Sequence, residues 1–195
     1  FCSITTPEWL LHKGSVGRAS QGVVHICDDQ GVPVSQGESG AVYFSDGPLF
    51  EYHNDPEKTA QTRNAQGWTT LGDIGYLDAQ GYLYLVDRKA FMIISGGVNI
   101  YPQEAENVLL QHPKVLDAAV IGVPSVDWGE EVKAVVQLVN PQDAGSAVAE
   151  ELLAFCRRSL ADFKCPRSID FDPELPRLPT GKLYKKLVKQ RYWPQ

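Results

Sequence analysis

The sequence predicts an α+β protein in two parts, and three observations support this prediction. Residues 1–86 carry short apolar and β-branched runs that are separated by glycine-containing turns. Residues 92–195 instead show strand patterns interspersed with helical patterns. The composition, 43% hydrophobic and 22% charged, is typical of globular proteins. We therefore expect a β-rich part followed by a small α+β domain with a short sheet and about three helices.

Residues 1–86 are predicted to contain several short strands and one short helix. Asp55 can cap the start of that helix, because aspartate accepts from its first free N–H groups and Pro56 fits its first turn. A turn at residues 78–81 precedes the last strand of this part. The strands are predicted at Val23–Cys27 and at residues 41–44, 68–71 and 82–86.

The remainder is predicted to fold as a small sheet with helices. Val132, Ala134, Val136 and Leu138 alternate with the polar residues Glu131, Lys133 and Gln137, which is typical of a strand with one buried face. We expect the helices to cover one face of this sheet. Further strands are predicted at residues 118–123 and at Ser168–Phe171, and helices at residues 102–111, 146–160 and 183–191.

Composition disfavours several classes of function. The four cysteines form no Cys-x-x-Cys motif and the four histidines are scattered, which argues against a disulfide framework or a metal site and favours a reducing, cytoplasmic location. A formal net charge of −6 and the lack of a reader motif argue against nucleic-acid binding. No apolar run has transmembrane length, and no signal peptide is recognisable.

The most informative segment is residues 87–106, where a charged cluster, a predicted strand at 91–94, a glycine pair and a helix starting at Pro102 follow one another without a linker. Gly96 and Gly97 supply positive-φ freedom where no side chain shields the backbone, so a ligand can approach the main chain there. A hairpin turn that runs into an amphipathic helix explains the same residues, and without further context it is the preferred interpretation.

Two other motifs supply that context. Residues 67–78 read Gly-Trp-Thr-Thr-Leu-Gly-Asp-Ile-Gly-Tyr-Leu-Asp, and residues 175–186 read Leu-Pro-Arg-Leu-Pro-Thr-Gly-Lys-Leu-Tyr-Lys-Lys. In this order, the three blocks resemble the C-terminal third of the adenylate-forming superfamily, which includes acyl-CoA synthetases, luciferases and peptide-synthetase adenylation domains. The wording Ser-Gly-Gly-x-Asn-Ile-Tyr-Pro followed by Pro-Thr-Gly-Lys is most similar to acyl-CoA synthetases of fatty or related acids.

The resemblance implies a domain organisation. Residues 1–86 would form the β-barrel-like end of a large N-terminal domain, residues 87–91 a hinge, and residues 92–195 a mobile C-terminal lid. The family's phosphate loop and its Tyr-Gly-x-Thr-Glu adenine segment do not occur in the 195 residues. We therefore expect a fragment that lacks most of its N-terminal domain and is inactive alone.

The resemblance also implies a reaction. A carboxylic acid, ATP and coenzyme A would give acyl-CoA, AMP and pyrophosphate through an acyl-adenylate, with Mg²⁺ held mainly by ATP and the missing N-terminal part. The acid is expected to be a small molecule, with a fatty acid favoured. Two alternatives remain, namely loading of a carrier protein's phosphopantetheine and a non-catalytic lid-like binding module. The acid and the oligomeric state stay open.

Two residues of the first part match nucleotide contacts of the family. Asp73 matches the aspartate that accepts from both ribose hydroxyls, a role that suits an acceptor-only carboxylate. A turn-capping aspartate is the alternative interpretation. Arg88 matches a second nucleotide contact, and a surface ion pair with Asp87 is its alternative.

Lys182 matches the lysine that contacts the substrate carboxylate and the α-phosphate during adenylation, where a positive charge offsets the repulsion of two anions. The alternative is a solvated lysine in a basic tail, because from residue 157 onward there are ten basic residues against four acidic ones. Gly96 and Gly97 match the loop that borders the channel for the pantetheine arm of coenzyme A.

Ala90 occupies the hinge position. The family usually carries aspartate or lysine there, so this chain lacks a polar side chain at the pivot. Alanine can still change φ and ψ, which leaves rotation of the lid possible.

Overall fold

The structure of the chain is a computed structural model that describes residues 2–193. The chain divides into two compact units between Ala90 and Phe91, inside the segment 87–91 where the sequence places a hinge. Both units combine strands with helices, so the predicted α+β class is confirmed. No helix within residues 2–193 is both long enough and apolar enough to cross a membrane.

The first unit contains a six-stranded antiparallel sheet with the strand order β1-β2-β6-β5-β4-β3. The register shifts where β6 meets β2 and where it meets β5, and such bulges bend and twist a sheet, as a barrel-like unit requires. The elements are β1 (Cys2–Ser3), α1 (Thr6–Leu11), β2 (Ser15–Ala19), β3 (Val23–Cys27), β4 (Gly40–Ser45), α2 (Pro56–Gln61), β5 (Asp73–Leu77) and β6 (Leu83–Arg88).

The core of this unit lies on one face of the sheet. Ile26, Val42 and Leu83 are buried together, with Phe44 and Leu77 packed against them. These residues come from β3, β4, β5 and β6, so the central strands are held by shared apolar burial as well as by their hydrogen bonds.

The short helix α2 starts as the sequence predicts. The Asp55 carboxylate accepts a hydrogen bond from the Lys58 N–H at 2.9 Å, and Pro56 occupies the first turn. Aspartate therefore satisfies an amide that the helix itself leaves unpaired.

The predicted strand at residues 68–71 is wrong. Only Thr69 pairs, through isolated bridges to Arg63 and to Phe44, and it exchanges backbone hydrogen bonds with Phe44. The Thr70 hydroxyl then donates to the Val42 carbonyl oxygen at 2.7 Å. A side chain thus takes an acceptor that a backbone N–H of a continuing strand would use, so no ladder extends along this segment.

The second unit contains a five-stranded sheet. Four strands follow the order β11-β10-β7-β8, and β9 pairs with β10. Strand β11 runs parallel to β10, whereas the other pairings are antiparallel. The elements are β7 (Ile93–Ser95), β8 (Val98–Ile100), α3 (Pro102–Leu109), β9 (Val115–Ser125), β10 (Gly129–Leu138), α4 (Ser146–Arg157), β11 (Ser168–Phe171) and α5 (Lys185–Gln190).

Helices cover this sheet on both faces, so the expectation of one covered face is wrong. Val120 and Val136 belong to the core cluster that includes residues of α3 and α4. Ile121 and Val135, their neighbours in β9 and β10, belong to a second cluster that includes Val188 of α5. Successive strand residues point to opposite faces, so each face has its own apolar core.

Two predicted boundaries near the candidate site residues need correction, and helices α3 and α4 end at Leu109 and Arg157 rather than at residues 111 and 160. Lys89–Phe91 forms a 3₁₀ turn and the strand begins only at Ile93, so the predicted strand at residues 91–94 is shifted. Helix α5 begins at Lys185 rather than at residue 183, because Leu183 still pairs with Arg177 in an isolated bridge.

Candidate functional site

Asp73 and Arg88, the two predicted nucleotide contacts, lie directly opposite each other. Asp73 begins β5, Arg88 ends β6, and the antiparallel register pairs them. Arg88 Nε lies 3.2 Å from Asp73 Oδ1. The arginine is 62% exposed and the aspartate 21% exposed at their side chains, so the pair faces solvent. A carboxylate has about four acceptor positions, so Asp73 can bind a diol while Arg88 is in place.

Arg88 does not form the alternative ion pair with Asp87, because its guanidinium pairs with Asp73. Asp87 Oδ1 instead accepts from the backbone N–H of Arg88 at 2.6 Å. Asp73 also borders an apolar concavity of about 460 Å³, which Val42, Leu83 and Leu85 help to line.

Ala90, the predicted hinge residue, lies in the 3₁₀ turn and is exposed. Lys89, the residue before it, is held to the first unit by two interactions. Its backbone N–H donates to the Gly72 carbonyl oxygen at 2.9 Å, and Lys89 Nζ lies 3.1 Å from Asp29 Oδ1. The role of Ala90 as a pivot stays a prediction.

Gly96 and Gly97 form the two-residue turn that connects β7 to β8. Ser95 pairs with Val98, and φ is +56° at Gly96 and +80° at Gly97. A hairpin turn with positive φ at both central residues is type I′, which glycine adopts without steric cost. The hairpin interpretation of this segment is thus correct, and it accounts for both glycines before any ligand is considered.

The two glycines nevertheless differ in their surroundings. A Cβ added to Gly96 would lie 2.7 Å from Trp128 Cε3, whereas one added to Gly97 would meet no atom within 4 Å. The Gly96 N–H also donates to the Trp128 carbonyl oxygen at 2.9 Å. Trp128 is 48% exposed, so a partly solvent-exposed aromatic ring lies beside this turn. The sequence analysis missed this tryptophan, because nothing in the sequence relates it to a turn about 30 residues earlier.

Lys182 ends a tight turn in the second unit. The Leu178 N–H donates to the Lys182 carbonyl oxygen at 2.8 Å, and the Gly181 N–H donates to the Leu178 carbonyl oxygen at 2.8 Å. Pro179 at the second position and Gly181, with φ of +83°, are residues that this turn favours. The Lys182 side chain is exposed, and no described residue forms an ion pair or hydrogen bond with it.

The other basic residues of this tail are mostly neutralised within the unit. Of the six between 177 and 191, only Lys182 and Lys186 lack an ion pair to a described residue. The sequence left open that these residues form a solvated basic face, but most of them are in ion pairs. The four pairs are Arg177–Asp117, Lys185–Glu106, Lys189–Glu130 and Arg191–Asp172.

The pair between Lys185 and Glu106 is buried. The two atoms Lys185 Nζ and Glu106 Oε1 are 2.7 Å apart, and the side chains are 8% and 5% exposed. Glu106 Oε1 also accepts from the backbone N–H of Val120 at 2.7 Å. Periodicity could have identified the glutamate, because Glu106 lies at the i+4 position of the buried stripe that begins at Pro102.

The predicted site residues are divided between the units. Asp73, Arg88 and Ala90 belong to the first, and Gly96, Gly97 and Lys182 to the second. Within residues 2–193 the structure contains no group of three or more side chains that could hold a metal ion.

Comparisons with known proteins agree with the motifs. Residues 104–182 match the family described as the AMP-binding enzyme C-terminal domain. Long-chain-fatty-acid–CoA ligase FadD13 of Mycobacterium tuberculosis is 41% identical over 190 residues, which are 97% of this chain and 37% of that protein. Feruloyl-CoA synthase of an Amycolatopsis species is 43% identical over 171 residues, which are 87% of this chain and 34% of that enzyme.

A solved structure extends the agreement to the fold. The o-succinylbenzoate CoA synthetase MenE of Bacillus subtilis, in complex with the acyl-adenylate intermediate OSB-AMP, matches with a TM-score of 0.81 and 35% identity, covering 95% of this chain and 37% of that one. The chain belongs to the adenylate-forming superfamily, and residues 104–182 lie in its AMP-binding C-terminal domain. It spans little more than one third of the length of these relatives.

Proposed function

We propose that the complete protein carrying this chain is an ATP-dependent acyl-CoA ligase. The carboxylate of the acid attacks the α-phosphorus of ATP and pyrophosphate leaves, which gives an acyl-adenylate. The thiol of coenzyme A then attacks the acyl carbon and AMP leaves. The three relatives reported above carry the names of enzymes that form CoA thioesters, which supports this reaction.

The proposal rests on one observation, that Lys182 is exposed and forms no ion pair with a described residue. Adenylation brings two anions together, and a cation held in place lowers the free energy of the transition state. Lysine serves this purpose only if its charge is not already neutralised. In the tail between residues 177 and 191, four of six cations have carboxylate partners, while Lys182 lies exposed on a turn fixed by Pro179 and Gly181.

Asp73 and Arg88 supply groups that suit the nucleotide. The carboxylate of Asp73 can accept hydrogen bonds from the two ribose hydroxyls, and the guanidinium of Arg88, 3.2 Å from it, adds a positive charge for a phosphate oxygen. Mg²⁺ would enter with the phosphates of ATP, for which it has a strong preference.

The turn of Gly96 and Gly97 is proposed to border the pantetheine arm of coenzyme A. Gly97 supports this role because no protein atom lies within 4 Å of a Cβ built there. Gly97→Leu should therefore slow thioester formation and let acyl-adenylate accumulate, while Gly97→Ala should carry most of the backbone strain with little of the bulk. Equal effects of the two variants on the thiol step would exclude the channel role.

The principal test uses the complete protein and its acid-dependent exchange of pyrophosphate into ATP. Lys182→Ala should lower this exchange on the order of 10²–10³-fold, whereas thioester formation from supplied acyl-adenylate should persist. Lys186→Ala is the matched control, because Lys186 is also exposed and without an ion pair to a described residue. Equal losses in both variants would show that Lys182 has no specific role.

The acid and the acceptor are finer parts of the proposal. The relatives are named for a long-chain fatty acid, ferulate and o-succinylbenzoate, and we propose a fatty acid because the motifs are worded most like those of fatty-acid enzymes. Exchange assays with these three acids test that choice. Free coenzyme A against a phosphopantetheinylated carrier protein separates the two acceptors. A reducing, cytoplasmic location stays a prediction.

A further inference from the structure

The turn that carries Lys182 has little packing to hold it. All residues from 177 to 182 are exposed, and a Cβ added to Gly181 would meet no atom within 4 Å. The backbone bonds across the turn fix its local shape but do not attach it to the sheet. A lysine on such a turn would move with it, and the position of its charge would be poorly defined.

One side chain attaches the turn to the sheet. Arg177 donates from one guanidinium nitrogen to the Gly181 carbonyl oxygen at 2.8 Å, and from the other to a carboxylate oxygen of Asp117 in β9. The Gly181 carbonyl belongs to the peptide group that joins Gly181 to Lys182. The guanidinium therefore fixes the peptide plane next to the Lys182 backbone.

The carboxylate end of this connection is itself fixed. Asp117 Oδ1 accepts from the backbone N–H of Ala118 at 2.8 Å, so its other oxygen is held toward Arg177. The side chain of Asp117 is only 16% exposed. The planar fork of arginine can serve a carboxylate and a carbonyl at once, which a lysine ammonium does with less geometric definition.

We infer that Asp117 and Arg177 form a brace that positions Lys182 for adenylation. The inference rests on the proposed function, because it assigns Arg177 a part in a reaction that Lys182 is proposed to serve. Arg177 is a positioning residue that acts through Lys182. The competing interpretation is a surface ion pair that stabilises the fold slightly and affects no catalytic step.

The chain contains a matched control for that interpretation. Arg191 and Asp172 form a second ion pair in the same tail, with 47% and 16% of their side chains exposed, against 48% and 16% for Arg177 and Asp117. The control pair has the same residue types and the same exposure, but Arg191 forms no hydrogen bond or ion pair with the described residues of the turn.

The experiment measures two properties of the complete protein. The first is the rate at which lysyl endopeptidase cleaves after Lys182, identified by peptide mass, since this cleavage requires local opening of the turn. Arg177→Ala and Asp117→Asn should raise the rate several-fold, and Arg191→Ala should not. If all three variants behave alike, no brace holds the turn. This readout is independent of any enzymatic activity.

The second property is the rate of adenylation. Arg177→Ala should lower kcat for acid-dependent exchange by up to about 100-fold, the loss that a displacement of about 1 Å can cause. Thioester formation from supplied acyl-adenylate should match that of Arg191→Ala. In a Lys182→Ala background, Arg177→Ala should have no further effect, because the brace then has nothing to position.

The outcomes separate the two proposals. Additive losses in the double variant, or an adenylation rate for Arg177→Ala equal to that of Arg191→Ala, would overturn the positioning role while leaving the ligase proposal standing. If the unmodified complete protein shows no exchange with any acid, the proposed function fails, and the cleavage rates still decide whether the brace holds the turn.

Discussion

Replacing the buried lysine of the second unit should destabilise that unit strongly. Lys185→Met removes the charge that lies 2.7 Å from Glu106 Oε1 and leaves a carboxylate that is only 5% exposed. Breaking a buried ion pair in this way typically costs about 3–5 kcal/mol. For a unit of about 100 residues that corresponds to a fall in Tm on the order of 15 °C or more. Methionine fills much of the volume of lysine, so the loss reports the charge more than the packing.

Calorimetry of the 195-residue chain measures this effect, because it can resolve separate transitions of the two units. Lys186→Met is the control, since it removes the neighbouring exposed lysine and should change stability by less than about 0.5 kcal/mol. Glu106→Gln combined with Lys185→Met should recover most of the loss, because glutamine keeps an acceptor for the Val120 N–H and no charge remains buried. Equal Tm values for Lys185→Met and Lys186→Met, or a double variant no more stable than Lys185→Met, would refute this reasoning.

Two further results are expected. Gly96→Ala should lower stability more than Gly97→Ala, because only the former meets Trp128, at 2.7 Å; in a Trp128→Ala background the two should become similar, and a difference that persists in calorimetry would exclude the ring as its cause. Burial raises the pKa of the Cys156 thiol from 9.0 to about 11, so its contribution to stability is complete below about pH 9 and is lost as pH rises to about 11. That loss is on the order of 2–3 kcal/mol, and Cys156→Ala should reduce the fall in Tm across this range; parallel curves for the two proteins would contradict the assignment.

The strands were predictable where apolar runs end at turn residues. Strands β3 and β11 have the predicted bounds, Val23–Cys27 and Ser168–Phe171. Each is flanked by residues that favour turns or that do not continue the strand pattern. The failed strand at residues 68–71 contains two adjacent threonines. Their hydroxyls compete with the backbone for hydrogen bonds, which a count of β-branched residues does not detect.

The second covered face of the sheet is indicated by consecutive apolar residues rather than by alternation. Residues 118–121 are Ala-Ala-Val-Ile, four consecutive apolar residues, and all four are buried. Consecutive apolar residues place apolar groups on both faces of a strand, whereas one solvated face requires alternation. In β10, Glu131, Lys133 and Gln137 suggest a solvated face, but Val135 interrupts this polar series and is buried in the second core cluster.

The sequence motifs name the candidate site residues but do not give their arrangement. The motifs single out Asp73 and Arg88, yet their mutual contact depends on the register between β5 and β6, which shifts at a bulge between Ile74 and Gly75. A bulge of one residue changes which side chains face each other, and its position is not encoded by hydrophobic periodicity. The nucleotide roles of both residues stay predictions.

The ion pairs of the tail explain why Lys182 is chemically distinct among six similar residues. Each paired cation joins the tail to another part of the second unit, and its charge is largely balanced there. An approaching anion therefore interacts mainly with the charges that have no such partner. Lys182 and Lys186 are both candidates on that criterion, but only Lys182 follows a turn whose backbone is fixed by a proline, a glycine and the guanidinium of Arg177. A charge whose backbone is held in place needs less reorganisation to stabilise a transition state, which is why we propose Lys182 rather than Lys186 for adenylation.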